Sequence, residues 1–129
     1  QVKTMLISAA MVGSGGFIGA LCRFGVSGFI QRNPSLVTFP YGTLMVNMVG
    51  CLLIGLAAGF LESRQLANPD IRSFVIVGIL GGFTTYSAFG FETFALLRDA
   101  EFLKAASNVL IHIVAGLFLV WIGYTLTSK

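Results

Sequence analysis

The sequence predicts an all-α integral membrane protein of four transmembrane helices, the third broken near its middle. Three observations predict it. Hydrophobic residues fill 56% of the 129 positions and charged residues only 10%, with a mean hydropathy of +0.89, whereas roughly a quarter of a soluble domain is charged. Four apolar runs, each close to the roughly 20 residues that cross a hydrocarbon core, fall at about 5–30, 42–61, 71–97 and 105–126, joined by short links that hold most of the charges and all the prolines. The third run interrupts itself with GILGGFTTYSAFGFET, Gly78 to Thr93.

The first run is too long to be a cleaved signal peptide and no small-residue cleavage site closes it. It carries Arg23, in GALCRFG. Three roles are open to that arginine: snorkelling to the interface, pairing with Glu92, or drawing anions to a pore mouth. The second run carries Asn47, in GTLMVNMVG. An unpaired amide there costs about 1–3 kcal/mol, so it bonds either to a neighbouring helix or to a permeating anion. Cys22 and Cys51 have no metal-ligand spacing and read as small apolar residues.

In the third run, Gly81 and Gly82 relax the helix, and Thr84, Thr85 and Ser87 supply hydroxyls of the kind that start a new one. Broken backbone at bilayer depth persists only when it is buried in protein or turned to a cavity. Half-helix carbonyl ends there suit a cation, and N-terminal ends an anion. Glu92 falls in the same window, and an intramembrane carboxyl marks a functional site by default. Tyr86 and Phe89 stand on one helical face, where ring edges of positive potential can stabilise a small anion. In the fourth run Asn108 and His112 are four apart, placed for a polar track or for a neighbouring helix.

Four crossings place both chain ends on the side of the second link. Lys3, Arg64, Arg72 and Lys129 then face Arg32, Arg98 and Lys104, four against three. That is almost no bias toward either orientation, so insertion both ways, and antiparallel pairing of copies, is open. Glycine pairs at four-residue spacing (Gly15 and Gly19, Gly55 and Gly59, Gly78 and Gly82) allow close helix approach, within one chain or between two. A net charge of +3 spread over helix ends forms no nucleic-acid stripe and suits membrane lipid headgroups. There is no phosphate-binding Gly-rich motif and no catalytic triad pattern, so no enzyme is expected.

The order GALCR, YGTLMVN and GGFTTYSAFGFET resembles the Fluc family of fluoride channels, also called CrcB proteins, over nearly the whole chain. The resemblance implies a fluoride-selective channel exporting fluoride passively across the cell (inner) membrane, so conferring fluoride resistance. It implies a dual-topology, antiparallel homodimer with a structural sodium ion held at the crossing of the third helices by the backbone carbonyls of Gly81 and Thr84 from both copies. It places Asn47, Tyr86 and Phe89 along the fluoride pathway, with Thr43, Thr85 and Ser87 as hydroxyl donors and Arg23 and Glu92 as vestibule or structural groups. Tyr86 departs from the phenylalanine usual at its position. Asn108, His112 and Gly116 stand where relatives often carry serines, so no pore role is transferred to them. The competing class is a small multidrug exporter coupled to protons, but no Asp or Glu precedes Glu62. A scaffold subunit would leave the helix break without a purpose.

Overall fold

The structure, a computed structural model, describes residues 1–66 and 68–129, and among them there are helices and no strand. Helix α1 spans Val2–Gln31 and α2 spans Tyr41–Ser63. Helix α3 covers 69–83, α4 is Tyr86–Arg98 and α5 is Phe102–Thr127. The four crossings are long and apolar enough to span a bilayer, with α3 and α4 forming one bent crossing, Pro69–Arg98. The protein is a multi-pass membrane protein. Each crossing runs one to three residues past its apolar stretch at its ends. At α3, Asn68 Oδ1 accepts from the Asp70 N–H (2.9 Å) and Pro69 takes the first helical position.

Two seams hold the bundle together, and both are built on glycine. Along the α1–α3 seam, a Cβ on Gly15 would lie 2.6 Å from the Phe74 carbonyl oxygen, and one on Gly82 would lie 2.7 Å from the Gly16 carbonyl oxygen. Along the α2–α5 seam, a Cβ on Gly123 would lie 2.5 Å from the Leu52 carbonyl oxygen, and one on Gly59 would lie 2.6 Å from that of Tyr124. The glycine pairs thus pack within the chain. In lipid, where apolar burial between helices gains little, such backbone approach supplies the dispersion contact that holds helices together. Hydrogen bonds pin the ends of the seams: Ser8 Oγ donates to Asp70 Oδ1 (3.2 Å), Thr127 Oγ1 to the Leu56 carbonyl (2.9 Å), and Tyr124 Oη to Glu62 Oε2 (2.6 Å).

The crossing formed by α3 and α4 breaks at its threonines, not at its glycines. Gly81 keeps helical angles (φ −63°, ψ −38°), whereas Thr84 (φ −83°, ψ 159°) and Thr85 (φ −148°, ψ 113°) are extended. The conformational freedom of Gly81 and Gly82 is not used. Gly82 is small because α1 lies against it. Upstream, Ser73–Leu80 runs in π turns, a rare register that gathers near functional sites.

Candidate functional site

The break at Thr84–Thr85 faces an open groove of ≈ 770 Å³ between α2, α3, α4 and α5. Its character follows from what the break does to backbone hydrogen bonding. In a continuous helix the Thr85 N–H would donate to the Gly81 carbonyl and the Ala88 N–H to the Thr84 carbonyl. Here the Thr85 N–H donates to Asn47 Oδ1 (2.9 Å), and the Ala88 N–H donates to Thr85 Oγ1 (3.2 Å) as the N-cap of α4. Both donors are diverted, which releases the Gly81 and Thr84 carbonyls beside the groove that these two residues line. The Thr84 side chain is held elsewhere: its hydroxyl donates to the Leu80 carbonyl (3.0 Å) and its methyl packs against Gly50. Any ion at Thr84 would therefore meet the main-chain oxygen. Carbonyl oxygens are hard ligands, so the released pair fits a hard cation such as sodium.

Asn47 is buried and its amide is fully committed. Besides accepting from the Thr85 N–H, which the break leaves without its helical acceptor, its Nδ2 donates to the Thr85 carbonyl (3.1 Å), so one side chain bonds both backbone groups of Thr85. The second Nδ2 hydrogen goes to His112 Nε2 (3.1 Å). His112 Nδ1 faces the Asn108 carbonyl at 2.9 Å. A carbonyl can only accept, so in neutral His112 the proton sits on Nδ1 and Nε2 is the acceptor for Asn47. The His112 ring packs against Phe89, centroids 4.4 Å apart. Phe89 in turn lies 5.8 Å from the ring of Tyr86, which is 85% exposed to the groove.

Thr43 and Glu92 meet on the far side of α2 and α4, where Thr43 Oγ1 donates to Glu92 Oε1 (2.7 Å). Glu92 also lines a second groove of ≈ 450 Å³ that includes Gln31, Tyr41, Gly42 and Asp99. Arg23 lines neither groove and forms no ion pair with Glu92 among the described residues; it stays half-buried on α1. Ser87 is exposed, 3.4 Å from Thr85 Oγ1 and outside both linings. Among the described residues, Glu92 Oε2 and Asn108 Oδ1 are buried acceptor oxygens without a hydrogen-bond partner.

Of the residues expected at a site, the structure gathers Asn47, Gly81, Thr84, Thr85, Tyr86 and Phe89 on the large groove. It sets Thr43 and Glu92 apart as a bonded pair. Three further polar groups belong with them. Thr93 receives a hydrogen bond from Asn108 Nδ2 (2.9 Å) and donates to the Phe89 carbonyl (2.7 Å), while His112 lines the groove directly. The four-residue spacing of Asn108 and His112 marked the right helix face, but Thr93 looked like one more hydroxyl after Glu92.

Comparison with known proteins agrees with this arrangement. The family model described as CrcB-like protein, Camphor Resistance (CrcB), matches residues 10–124. The chain is 43% identical over 118 residues to a protein of Methylobacillus flagellatus named Fluoride-specific ion channel FluC, covering 92% of each chain. A protein of the same name from Citrifermentans bemidjiense is 44% identical over 92% of each chain. One from Aquifex aeolicus is 41% identical, over 89% of this chain and 92% of its own length. The groove at the broken helix is thus set in a chain that belongs to the CrcB family.

Proposed function

We propose that this protein is a fluoride-selective channel, passive and not enzymatic, working as an antiparallel homodimer around a structural sodium ion. The observation that carries this reading is the release of the Gly81 and Thr84 carbonyls beside an open groove that is otherwise mostly apolar. The relatives' name supplies the ion. Gly81 and Gly90 support a second copy. Both line the groove, yet a Cβ on Gly81 would meet only ordinary contact with the Ile76 carbonyl oxygen, 3.6 Å away, and one on Gly90 would meet nothing within 4 Å. Their small size serves no neighbour in the chain and suits close approach by another chain. Sodium, when bound, supplies a fixed positive charge where main-chain oxygens of two copies meet.

The chain's own residues give fluoride a substitute for its hydration shell. Fluoride is a strong acceptor, costly to dehydrate, and a narrow track of donors offsets that cost. The Thr85 hydroxyl has spent its acceptor role on the Ala88 N–H and keeps its hydrogen for an anion or for Ser87. The Phe89 ring edge and the Tyr86 phenol border the groove. The amide of Asn47 reaches the ion by giving up a bond made within the chain, whereas Thr43, bonded to Glu92, stands outside the groove lining. Negative membrane potential then drives out fluoride that has entered as the neutral acid and dissociated.

Purified protein in liposomes tests the reading. Fast fluoride efflux that needs a charge-balancing ionophore and moves no proton is the expected result. Efflux coupled to proton uptake would indicate an exporter, and absence of fluoride efflux would reject the channel. Cysteine pairs placed at Gly81 or Gly90 should cross-link two copies across the groove.

A further inference from the structure

His112 is the single histidine of the chain. It is also the one groove-lining side chain, among the described residues, whose ordinary pKa lies between about 5 and 8. No Asp, Glu, Lys or Arg lines the groove. The other titratable side chains facing it among the described residues are Cys51 from α2 and Tyr86 from α4; α3 contributes none. Glu92, also on α4, is engaged by Thr43 and lines the second groove.

Neutral His112 closes a hydrogen-bond chain: its Nδ1–H donates to the Asn108 carbonyl and its Nε2 accepts from Asn47. In that state Asn47 has no hydrogen left for an anion. Protonation changes the arithmetic. An imidazolium has two donors and no acceptor, so Nε2–H and the Asn47 N–H confront each other, and both must turn to a third group. With the released Gly81 and Thr84 carbonyls engaged by the proposed cation, the acceptor that can meet both donors is an anion in the groove. Phe89, at 4.4 Å, lies where its ring can support the imidazolium.

Resting on the fluoride reading above, we propose that His112 is an acid-sensitive donor switch: protonation at Nε2 frees the Asn47 amide and turns both N–H groups to a fluoride ion in the groove. The channel is then most active in acid, where fluoride enters cells most readily as its neutral acid. By linkage, fluoride raises the affinity of His112 for its proton by the same factor that the proton raises fluoride affinity.

Two measurements test this on the full-length protein. In planar bilayers, where the neutral acid carries no current, fluoride current should rise roughly threefold to tenfold from about pH 7.5 to about pH 5.5. In His112→Gln, which keeps an acceptor without a titrating proton, the ratio of currents at the two pH values should be near one. A flat wild-type profile, or an equal rise in the variant, overturns the switch. In solution NMR of the wild-type protein, the single imidazole resonance should titrate to higher pH in sodium fluoride than in sodium chloride, and equal midpoints overturn it without need of the variant. Wild-type protein that passes no fluoride at any pH rejects the channel reading itself, whereas fluoride current that ignores pH rejects only the switch.

Discussion

Along the α1–α3 seam, Gly15, Gly19, Gly78 and Gly82 remove side chains so that two backbones touch. Around the groove, Gly81 and Gly90 remove side chains and nothing in the chain fills the space. Gly81 and Gly82 are neighbours in sequence and do opposite things. Gly82 closes the subunit on itself. Gly81 leaves it open beside a released carbonyl. The same residue type therefore marks the closed half of the molecule and its unfinished half, and only the surrounding backbone tells them apart.

Substitution can break this comparison or sharpen it. Gly19→Val should have the largest effect, because its side chain runs into the Ile79 carbonyl and the Phe83 N–H. A loss at or above about 3 kcal/mol is expected, seen as little folded protein after extraction; normal yield and melting would break the seam argument. Asn47→Ala follows. It strips both partners from the Thr85 backbone, costing about 1–3 kcal/mol per buried group, and should abolish fluoride current in the protein that still folds. Gly82→Ala should cost about 1–3 kcal/mol, since its Cβ meets the Gly16 backbone, which cannot give. Thr43→Val should cost about 1 kcal/mol by removing the donor to Glu92 Oε1; thermal melting in detergent reads both.

Gly90→Ala should have the smallest effect on the fold, and of opposite sign. With nothing within 4 Å of its Cβ, alanine's better helix propensity should leave melting unchanged or raise stability by up to about 1 kcal/mol. Yet current and cross-linking between copies should fall. Equal destabilisation by Gly82→Ala and Gly90→Ala would erase the distinction between seam and groove.

Much of this was legible in the sequence. Apolar run lengths located the crossings, and the clustering of Thr84, Thr85, Ser87 and Glu92 pointed to the break. The glycines misdirected the detail, because a Gly-Gly pair reads as weakness, while a helix seated against α1 at Gly82 keeps its helical angles through the pair. Asn47 was legible as a polar group needing partners, but not that a single amide would bond both the N–H and the carbonyl of Thr85. Of the three roles open to Arg23 in the first run, pairing with Glu92 in the third is not made among the described residues. For His112 the choice between a polar track and a neighbouring helix stayed open, because its partner Asn47 lies on another helix that the sequence does not align with its own.

The sequence by itself determined that this chain lives in a membrane, crosses it four times, and bends its third crossing near the middle. These follow from free energies of transfer and local backbone preference, which act residue by residue. Only tertiary structure decided which glycines close a seam and which face open space. It also decided that the hydrogen bonds lost at the break are taken over by Asn47 and Thr85, so that two carbonyls are released. Those outcomes depend on the rotation and spacing of helices far apart in the chain, which no local pattern encodes.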